Sequence, residues 1–272
     1  MSGILYVTGT PIGNLGDFSP RAAETLKNAD FIAAEDTRVT AKLLNHFGIK
    51  TPLVSYYEQN KAEKGPQIIN KILAGENCAM VTDAGMPAIS DPGEDLVRLA
   101  YQNGIKVESV PGPTAICTAL AISGMNCRRF CFEGFLPANK NERRAALEQL
   151  VDERRTTVLY EAPHKLVAAL KDIADILGNR NICIVKEITK IHESVIKGSA
   201  AELLEKYSAE PPKGEYVIII EGAKEESRKF SLKDAADIAK NYIKDGMAPS
   251  AAAKGAAKLT GIKKGDIYKE IM

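Results

Sequence analysis

The segment from Val81 to Gly93 (VTDAGMPAISDPG) places two glycines and two prolines in one short connection. The apolar run Cys78–Val81 is typical of a buried strand in a parallel sheet, and the apolar spacing from Glu94 to Ala100 is helical. Open α/β sheets bind ligands in loops at the carboxyl ends of their strands. The segment therefore predicts an α/β fold with a binding loop, although an ordinary strand-to-helix turn would use the same residue types.

Two further loops have the same character. Gly9–Asp17 follows a predicted strand at Gly3–Val7, and Pro111–Ala115 follows one at Ile105–Val110. Glycine-rich loops between a strand and a helix let backbone amides approach a ligand closely. The first of these loops lacks the GxGxxG spacing of a dinucleotide site. Because all three loops follow parallel strands, they predict one shared pocket rather than three unrelated turns.

A charged cluster, Glu35-Asp36-Thr37-Arg38, follows the predicted strand Phe31–Ala34. Charged residues at a strand end are costly to bury unless they are paired, so an ion pair with Arg38 is expected. One interpretation is a polar cluster that points into the shared pocket. The alternative is a helix start with acidic first-turn residues and Thr37 as a partial cap, ahead of a helix predicted from Thr40 to Phe47.

The second half of the chain predicts a mixed sheet rather than a parallel one. A highly charged helix is predicted at Lys140–Glu153, with Arg143 and Arg144 on one side, and another at Leu166–Leu177. The predicted domains are residues 1–112 and 113–225, both α/β, and a small basic helical domain at 226–272. The predicted strands of the second domain are Phe130–Pro137, Thr156–Tyr160, Asn181–Val185 and Gly214–Gly222.

The C-terminal region is basic, unlike the rest of the chain. Residues 228–272 contain ten Lys/Arg and five Asp/Glu, a balance of +5, and the remaining 26 Lys/Arg and 30 Asp/Glu leave −4. Ser231 and Asp234 form a capping box, and helices are predicted up to Gly246, over Pro249–Thr260 and from Ile262. This helix-turn-helix outline and its charge favour a polyanionic partner. A helical appendage that packs on the body or on a second subunit is the alternative.

Composition limits the class of protein. The five cysteines include no CxxC pair, and the sequence has no apolar signal segment and no run of membrane-spanning length. These features predict a reduced, cytoplasmic protein. Cys127 and Cys131 have helical spacing but no neighbouring His, so no metal site is expected.

These motifs together resemble the tetrapyrrole methylase superfamily, nearly from end to end. They are similar in particular to its branch of 16S rRNA methyltransferases, through Thr10-Pro11-Ile12-Gly13-Asn14 and the Glu35–Arg38 cluster. The segments that carry the resemblance are Thr8–Asp17, Ala34–Arg38, Asp83–Gly93, Val110–Ala115, Phe132–Pro137, Tyr160–Leu166, Lys186–Glu193 and Gly214–Gly222.

The resemblance implies S-adenosyl-L-methionine bound between two α/β domains, a homodimer, and 2'-O-methylation of a cytidine in the decoding region of 16S rRNA within the 30S subunit. Ribose methylation needs an in-line approach and closeness more than acid-base power, and a base that accepts the hydroxyl proton would help further. The candidate catalytic residues are Glu35, Asp36, Arg38, Lys186, Glu187 and His164. The implied cofactor-binding residues are Pro11, Ile12, Gly13, Asp83, Gly85, Met86, Thr114, Ala115, Glu161 and Ala162.

Three other functions share parts of this pattern. A precorrin-type tetrapyrrole methyltransferase would have the cofactor loops but would not need the basic tail or the Glu35–Arg38 cluster. An enzyme similar to diphthine synthase would use a protein side chain as acceptor. A non-catalytic RNA-binding module would bind no S-adenosylmethionine.

Overall fold

The computed structural model describes residues 2–224 and 231–272. The chain forms two compact units, one up to Ala223 and one from Lys224 onward. The predicted boundary between residues 225 and 226 lies outside the described residues, and the boundary between 112 and 113 remains a prediction. Within the described ranges, no helix combines the length and the apolar character needed to cross a membrane.

The first sheet is parallel throughout, as predicted, with strand order β3-β2-β4-β1-β5. Both of its faces are covered, because every residue of the second strand is buried. Its strands are β1 (Ile4–Thr8), β2 (Phe31–Ala34), β3 (Leu53–Ser55), β4 (Cys78–Val81) and β5 (Lys106–Val110). The helices between them are α1 (Pro20–Asn28), α2 (Thr37–His46), α3 (Lys61–Leu73) and α4 (Gly93–Gln102).

Alternation along the strands assigns these helices to the two faces. Phe31 of β2 packs with residues of α3 and α4, such as Ile68 and Leu96. The next residue, Ile32, packs with Leu26 of α1 on the opposite face. Successive side chains of a strand point to opposite faces, so the continuous apolar runs are the sequence signature of a sheet covered on both sides.

The strand order places a topological switch point between β1 and β4. From β1 the chain crosses to β2 and β3 on one side, and from β4 it crosses to β5 on the other. Connections that leave neighbouring strands in opposite directions open a crevice at the carboxyl ends, where open α/β sheets bind ligands. The loops that begin after Thr8 and Val81 therefore border this crevice.

The second sheet is mixed, as predicted, with order β6-β7-β10-β8-β9. Only β6 and β7 are parallel, and the other pairs are antiparallel. Its strands are β6 (Phe130–Phe135), β7 (Thr156–Glu161), β8 (Asn181–Lys186), β9 (Ser194–Ser199) and β10 (Tyr216–Ile220). The associated helices are α5 (Ala115–Ser123), α6 (Lys140–Glu148), α7 (Pro163–Leu177) and α8 (Ala200–Ala209).

The helix α5 follows the first sheet in sequence but packs on the second. Ala119 and Leu120 of α5 lie in one apolar cluster with Val217 and Ile219 of β10. Ile12, from the loop after β1, belongs to the same cluster and is 9% exposed. The first loop of the first sheet therefore reaches the second sheet, and both sheets border the same cleft.

Several predicted element bounds were wrong. Helix α2 begins at Thr37 rather than Thr40, because Asp36 caps it. Helix α6 ends at Glu148 rather than Glu153, and a turn follows it. The strands β3 and β9 and helix α8 were not predicted. Strand β3 has only three residues, and β9 is a partly polar edge strand. Helix α8 begins after Ser199, which caps it.

The C-terminal unit contains three helices among its described residues: α9 (Leu232–Lys244), α10 (Pro249–Thr260) and α11 (Lys264–Ile271). The predicted capping box of Ser231 and Asp234 is present. The core of this unit is built mostly from alanines and one isoleucine, Ile267, which lets the helices approach closely. The positive charge balance was counted from Arg228, which lies outside the described residues.

A buried ion network joins α6 to α7. Asp172 accepts hydrogen bonds from Arg143 Nε and Arg144 Nη1, both at 2.8 Å. The side chains of Asp172 and Arg143 are 3% and 10% exposed. Burial opposes ionisation of Asp172, but the hydrogen bonds from the two guanidinium groups lower its pKa. Removal of this carboxylate would leave Arg143 buried without its charge partner.

We expect Asp172→Ala to lower the free energy of unfolding by about 3 kcal/mol, because it leaves a buried charge uncompensated. Asp175 is the matched control, since it lies 3.4 Å from Arg144 but is 50% exposed. Asp175→Ala should cost less than about 1 kcal/mol. Urea unfolding of both variants measures the difference, and equal losses would contradict the assignment of the network to the core.

Candidate active site

A cleft of about 870 Å³ lies at the carboxyl ends of the first sheet and against the second. It lies at the upper end of the roughly 300–1,000 Å³ that is usual for small-molecule sites. All three Gly/Pro-rich loops contribute to it, through Ile12, the segment from Thr82 to Asp91, and Thr114 to Cys117. The opposite wall comes from β6, β7 and β10 and from the loop after β8.

Backbone hydrogen bonds tie the first two loops together. Thr10 N–H donates to the Gly85 carbonyl at 2.9 Å, and Gly85 N–H donates back to the Thr10 carbonyl at 3.2 Å. The Thr10 hydroxyl donates to the carbonyl of Thr82 at 3.1 Å. These contacts lie at the switch point between β1 and β4, so main chain rather than side chain fixes the floor of the cleft.

Two glycines bring the third loop against the first. A Cβ added to Gly9 would lie 2.7 Å from Gly112 Cα, and one added to Gly112 would lie 2.8 Å from Gly9 Cα. Both distances are too short for any side chain, so this backbone contact requires glycine at both positions. The contact positions the turn that starts α5, where Thr114 accepts a hydrogen bond from Cys117 N–H.

The structure brings most of the predicted cofactor residues into this cleft. Pro11 and Gly13 flank the lining residue Ile12 but do not line the cleft themselves, and a Cβ on Gly13 would meet Lys190 Cγ at 2.6 Å. The predicted residues that do line it are Ile12, Asp83, Gly85, Met86, Thr114, Ala115, Glu161 and Ala162.

The wall formed by the first sheet is acidic. Glu35, Asp83 and Asp91 all line the cleft. Glu35 Oε2 accepts a hydrogen bond from the Thr82 hydroxyl at 2.6 Å, and Asp83 Oδ1 accepts one from Asp36 N–H at 3.0 Å. Burial and the nearby charge of Glu35 raise the pKa of Asp83, and burial raises that of Asp91. A cationic ligand would relieve this mutual repulsion.

Asp36 and Arg38 form the predicted ion pair, but outside the lining of the cleft. Asp36 caps helix α2 through Arg38 N–H at 2.8 Å and bonds the Arg38 guanidinium through both oxygens, at 3.0 and 2.7 Å. The hydrogen bond from the Arg38 side chain lowers the pKa of Asp36 to about 2. A group with such a pKa is a poor general base near neutral pH. Glu35 is therefore the member of the cluster that is placed to act in the cleft.

Three further predicted catalytic residues, in addition to Asp36 and Arg38, do not line the cleft. His164 is exposed in the first turn of α7, and Lys186 ends β8. Glu187 Oε1 accepts hydrogen bonds from Glu215 N–H at 2.8 Å and Lys190 Nζ at 3.0 Å. Burial opposes ionisation of Glu187, but these hydrogen bonds lower its pKa. In this structure Glu187 holds the loop after β8 against the start of β10.

Glu161 is the buried carboxylate of the cleft and is only 3% exposed. Its Oε1 accepts a hydrogen bond from Ala162 N–H at 2.9 Å. Its buried Oε2 has no hydrogen-bond partner among residues 2–224 and 231–272. Burial raises the pKa of this carboxyl group. A buried polar atom without a partner is costly, so the site favours a ligand that donates an N–H or O–H to Glu161.

Sequence reasoning missed the aromatic part of the cleft. Phe130, Phe132, Phe135 and Tyr160 line the wall that belongs to the second sheet. The residues sit in strands, where apolar side chains are ordinarily assigned to the core. Their spacing gives no signal of a shared surface, because Phe132 and Phe135 would lie on opposite faces of a regular strand.

The raised pKa of Glu161 predicts how stability depends on pH without ligand. A carboxyl whose pKa is raised on folding is protonated in both states below about 4.5, so stability falls as the pH rises through its folded value. Glu161→Gln cannot ionise and should make this fall in stability above about pH 4.5 shallower. Urea midpoints measured from below that pH upward give the slope.

Glu153 provides a control of opposite sign. The hydrogen bond from the Arg155 side chain lowers the pKa of Glu153 to about 2. Its contribution to the stability of the folded state is therefore present above about pH 4.5 and lost on acidification. Glu153→Gln should therefore lower stability at neutral pH and remove part of the acid sensitivity. An unchanged slope for Glu161→Gln would contradict burial of its charge.

The chain is similar in sequence to several curated proteins named ribosomal RNA small subunit methyltransferase I. The relative from Synechocystis is 43% identical over 269 residues, which is 98% of this chain and 96% of the relative. The relative from Bacillus subtilis is 41% identical, over 98% of this chain and 93% of its own length. The relative from Thermotoga maritima is 44% identical over 220 residues. This alignment covers 81% of this chain and 99% of that relative.

The fold is shared with solved structures of lower sequence identity. A diphthine synthase has a TM-score of 0.62 at 14% identity, over 81% of this chain and 90% of that chain. A uroporphyrin-III-C-methyltransferase from Thermus thermophilus has a TM-score of 0.57 at 18% identity, over 80% of this chain and 94% of that chain. The profile of the tetrapyrrole (corrin/porphyrin) methylases matches residues 4–204. The chain therefore belongs to the tetrapyrrole methylase family.

Proposed function

We propose that this protein is an S-adenosyl-L-methionine-dependent methyltransferase that modifies the 2'-hydroxyl of a cytidine in the decoding region of 16S rRNA. The observation that carries the proposal is the 41–45% identity to relatives named ribosomal RNA small subunit methyltransferase I, over nearly the whole chain in most of them. The shared fold alone would not separate this activity from methylation of tetrapyrroles or of a protein side chain, since fold does not fix function.

The cleft fits the proposed cofactor in charge and in shape. S-adenosylmethionine supplies an electrophilic methyl group on a sulfonium when bound, and it carries an ammonium and ribose hydroxyls. Glu161 Oε2 is a buried acceptor without a partner among the described residues, and Asp83 lines the acidic wall of the first sheet. The backbone contact of Gly9 with Gly112 keeps bulky side chains away from the floor of the cleft. Glu161 and Asp83 would hold the cationic end and the hydroxyls of the cofactor.

Glu35 is the residue we assign to the acceptor hydroxyl. The Thr82 hydroxyl holds its Oε2 at 2.6 Å, which orients the carboxylate and leaves Oε1 to accept a proton. Asp36 and Arg38 lie directly after it and act as a rigid support, because the Asp36 carboxylate caps α2. Positioning by this support supplies part of the rate, and proton transfer to Glu35 supplies the rest.

The proposed partners are 16S rRNA within the 30S subunit and a second copy of this chain, in the cytoplasm. The family resemblance supports both partners. Light scattering tests the homodimer. The substrate is tested by the transfer of a labelled methyl group to 30S particles, to naked rRNA and to a tetrapyrrole, side by side. Transfer only to the tetrapyrrole would overturn the proposed function.

We expect Glu35→Gln to lower kcat for methyl transfer about a hundredfold, because it removes the proton acceptor. Asp36→Asn and Arg38→Ala should lower kcat less, since they disturb the support. All three should keep the affinity for S-adenosylmethionine, measured by calorimetry.

Asp83→Ala provides the contrast, because Asp83 lines the cleft beside Gly85. It should weaken S-adenosylmethionine binding about tenfold by removing a hydrogen-bond acceptor. Pro11→Gly, which loosens the loop that places Ile12, should act in the same direction. Normal turnover in the Glu35, Asp36 and Arg38 variants would assign that cluster to structure.

A strip of lysines on the C-terminal unit supports contact with phosphates. Ser250, Lys254 and Lys258 are four residues apart and so share one face of α10. Lys264 Nζ donates to the Ser250 hydroxyl at 3.0 Å, which adds it to the same strip. Lys254 and Lys258 are exposed, and α10 contains no acidic residue. The strip is a defined positive surface rather than a general excess of charge.

Reversal of both α10 charges, Lys254→Glu with Lys258→Glu, should weaken rRNA binding and flatten its salt dependence by about 0.7 in log–log slope for each lost phosphate contact. The control is Lys240→Glu with Lys244→Glu on α9, where Asp237 and Asp245 already balance the lysines. Filter binding at several salt concentrations measures both. Equal effects would contradict a defined strip, and no effect in either pair would favour a packing role.

A further inference from the structure

The edge strand β6 contains one extra residue relative to its neighbour β7. Phe132 lies opposite Val158 and Phe135 lies opposite Tyr160, so three steps along β6 match two along β7. Gly134 lies in this interval and has φ +65°, the left-handed conformation that favours glycine. The irregularity is a β-bulge, a feature that redirects side chains and is common beside active sites.

The bulge puts two phenylalanines on one face. Neighbouring strands present paired residues to the same side, and Val158 and Tyr160 share a side because they are two residues apart. Phe132 and Phe135 therefore face the same way, although their spacing of three would separate them in a regular strand. Their ring centroids lie 4.9 and 5.5 Å from that of Tyr160. All three rings line the cleft.

Phe135 is the exposed member of this aromatic wall. It is 55% exposed, whereas Phe132 and Tyr160 are half-buried. Its exposure and its place at the end of the edge strand put it at the mouth of the cleft. The Phe135 ring thus contacts Tyr160 at an interplanar angle of 59° while it offers a free surface to a ligand.

The loop after β4 faces this ring across the mouth. Ser90 Oγ lies 3.4 Å from the position of a Cβ on Gly134, and the neighbouring Ile89 lines the cleft and is 50% exposed. Ala88 and Ser90 have φ of 69° and 65°, which is unusual for residues other than glycine. Asp91 Oδ1 holds this shape through hydrogen bonds from Ala88 N–H and Gly93 N–H. The exposed side chains of Ile89 and Phe135 therefore both border the mouth of the cleft.

We infer that Phe135 stacks against a base of the acceptor RNA that is splayed out of its strand into the mouth of the cleft. This inference rests on the proposed function. The acidic wall lies inside the cleft, so a ribose hydroxyl reaches it most readily from a nucleotide that has left the neighbouring bases, and proteins hold such splayed bases on aromatic side chains. The position of Phe135 at the mouth favours the base of the acceptor over the adenine of the cofactor, because most of the predicted cofactor residues lie in the floor loops.

Kinetics of full-length variants test the assignment. Phe135→Leu keeps an apolar side chain but removes the ring, so KM for rRNA should rise about tenfold while the affinity for S-adenosylmethionine stays the same. Phe135→Tyr should restore KM, which a merely structural role would not require. Tyr101→Leu is the matched control, because Tyr101 is 65% exposed and does not line the cleft. It should leave both constants unchanged.

Fluorescence shows whether the RNA base or the adenine of the cofactor stacks on residue 135. The chain contains no tryptophan, so Phe135→Trp introduces a single tryptophan at the mouth, which is excited selectively over the tyrosines. Addition of rRNA should quench it, and addition of S-adenosylmethionine alone should not. Quenching by the cofactor alone would place adenine on this ring and overturn the inference.

The failure of this inference is distinguishable from failure of the proposed function. An unchanged KM for rRNA in Phe135→Leu, with wild-type turnover intact, would overturn the inference alone. Absence of methyl transfer to rRNA by the wild-type enzyme would overturn the proposed function and the inference with it. If Phe135→Leu raises KM for rRNA and Phe135→Tyr has the wild-type KM, the result supports both the inference and the proposed function.

Discussion

The exchange of backbone hydrogen bonds between Thr10 and Gly85 is the interaction on which the site depends. The strands β1 and β4 are neighbours, but the chain leaves them in opposite directions, so their loops would diverge without a direct connection. The contact of Gly9 with Gly112 adds the third loop to the pair. The floor of the cleft is therefore fixed by main chain, and glycine is the residue type that this arrangement requires.

The two walls of the cleft have different chemistry. The first sheet contributes carboxylates, and the raised pKa values of Asp83 and Asp91 reflect burial and mutual repulsion in the unliganded protein. A cation bound there would relieve this cost, so its binding free energy would include the relief as well as the new contacts. The second sheet contributes the aromatic rings and also the buried carboxylate of Glu161. A ligand with a cationic part and an acceptor with a flat part can therefore occupy the cleft together, because carboxylates and rings offer them different contacts.

Much of the fold could be predicted because its signals are local. The strands β2 and β4 have the predicted ends, since each is a continuous apolar run. The strand β3 was missed because three residues give no periodicity, and β9 because it is a partly polar edge strand.

The site divides in the same way between local and long-range features. The Gly/Pro-rich loops have a composition that indicates their role, so most of their residues were predicted. The place of Asp36 was open, because aspartate suits both a helix cap and a polar cluster. Phe135 could not be found from the sequence, because its direction depends on the register of β6 against β7. Register is a property of two strands, and no single stretch of sequence specifies it.

Under the proposed function, the C-terminal unit would add substrate affinity to a reaction centre that lies upstream of it. Since 81% of this chain accounts for 99% of the Thermotoga maritima relative, about a fifth of this chain has no counterpart there. That share matches the unit that starts at Lys224, and every residue we assign to the cleft precedes it. Its alanine core lets short helices pack closely, so the long side chains of Lys254 and Lys258 remain outside it. Under the proposed function, phosphate contacts of these lysines would carry no information about sequence and would not touch reacting atoms. They would therefore act on the binding of RNA and on its salt dependence rather than on the methyl-transfer step.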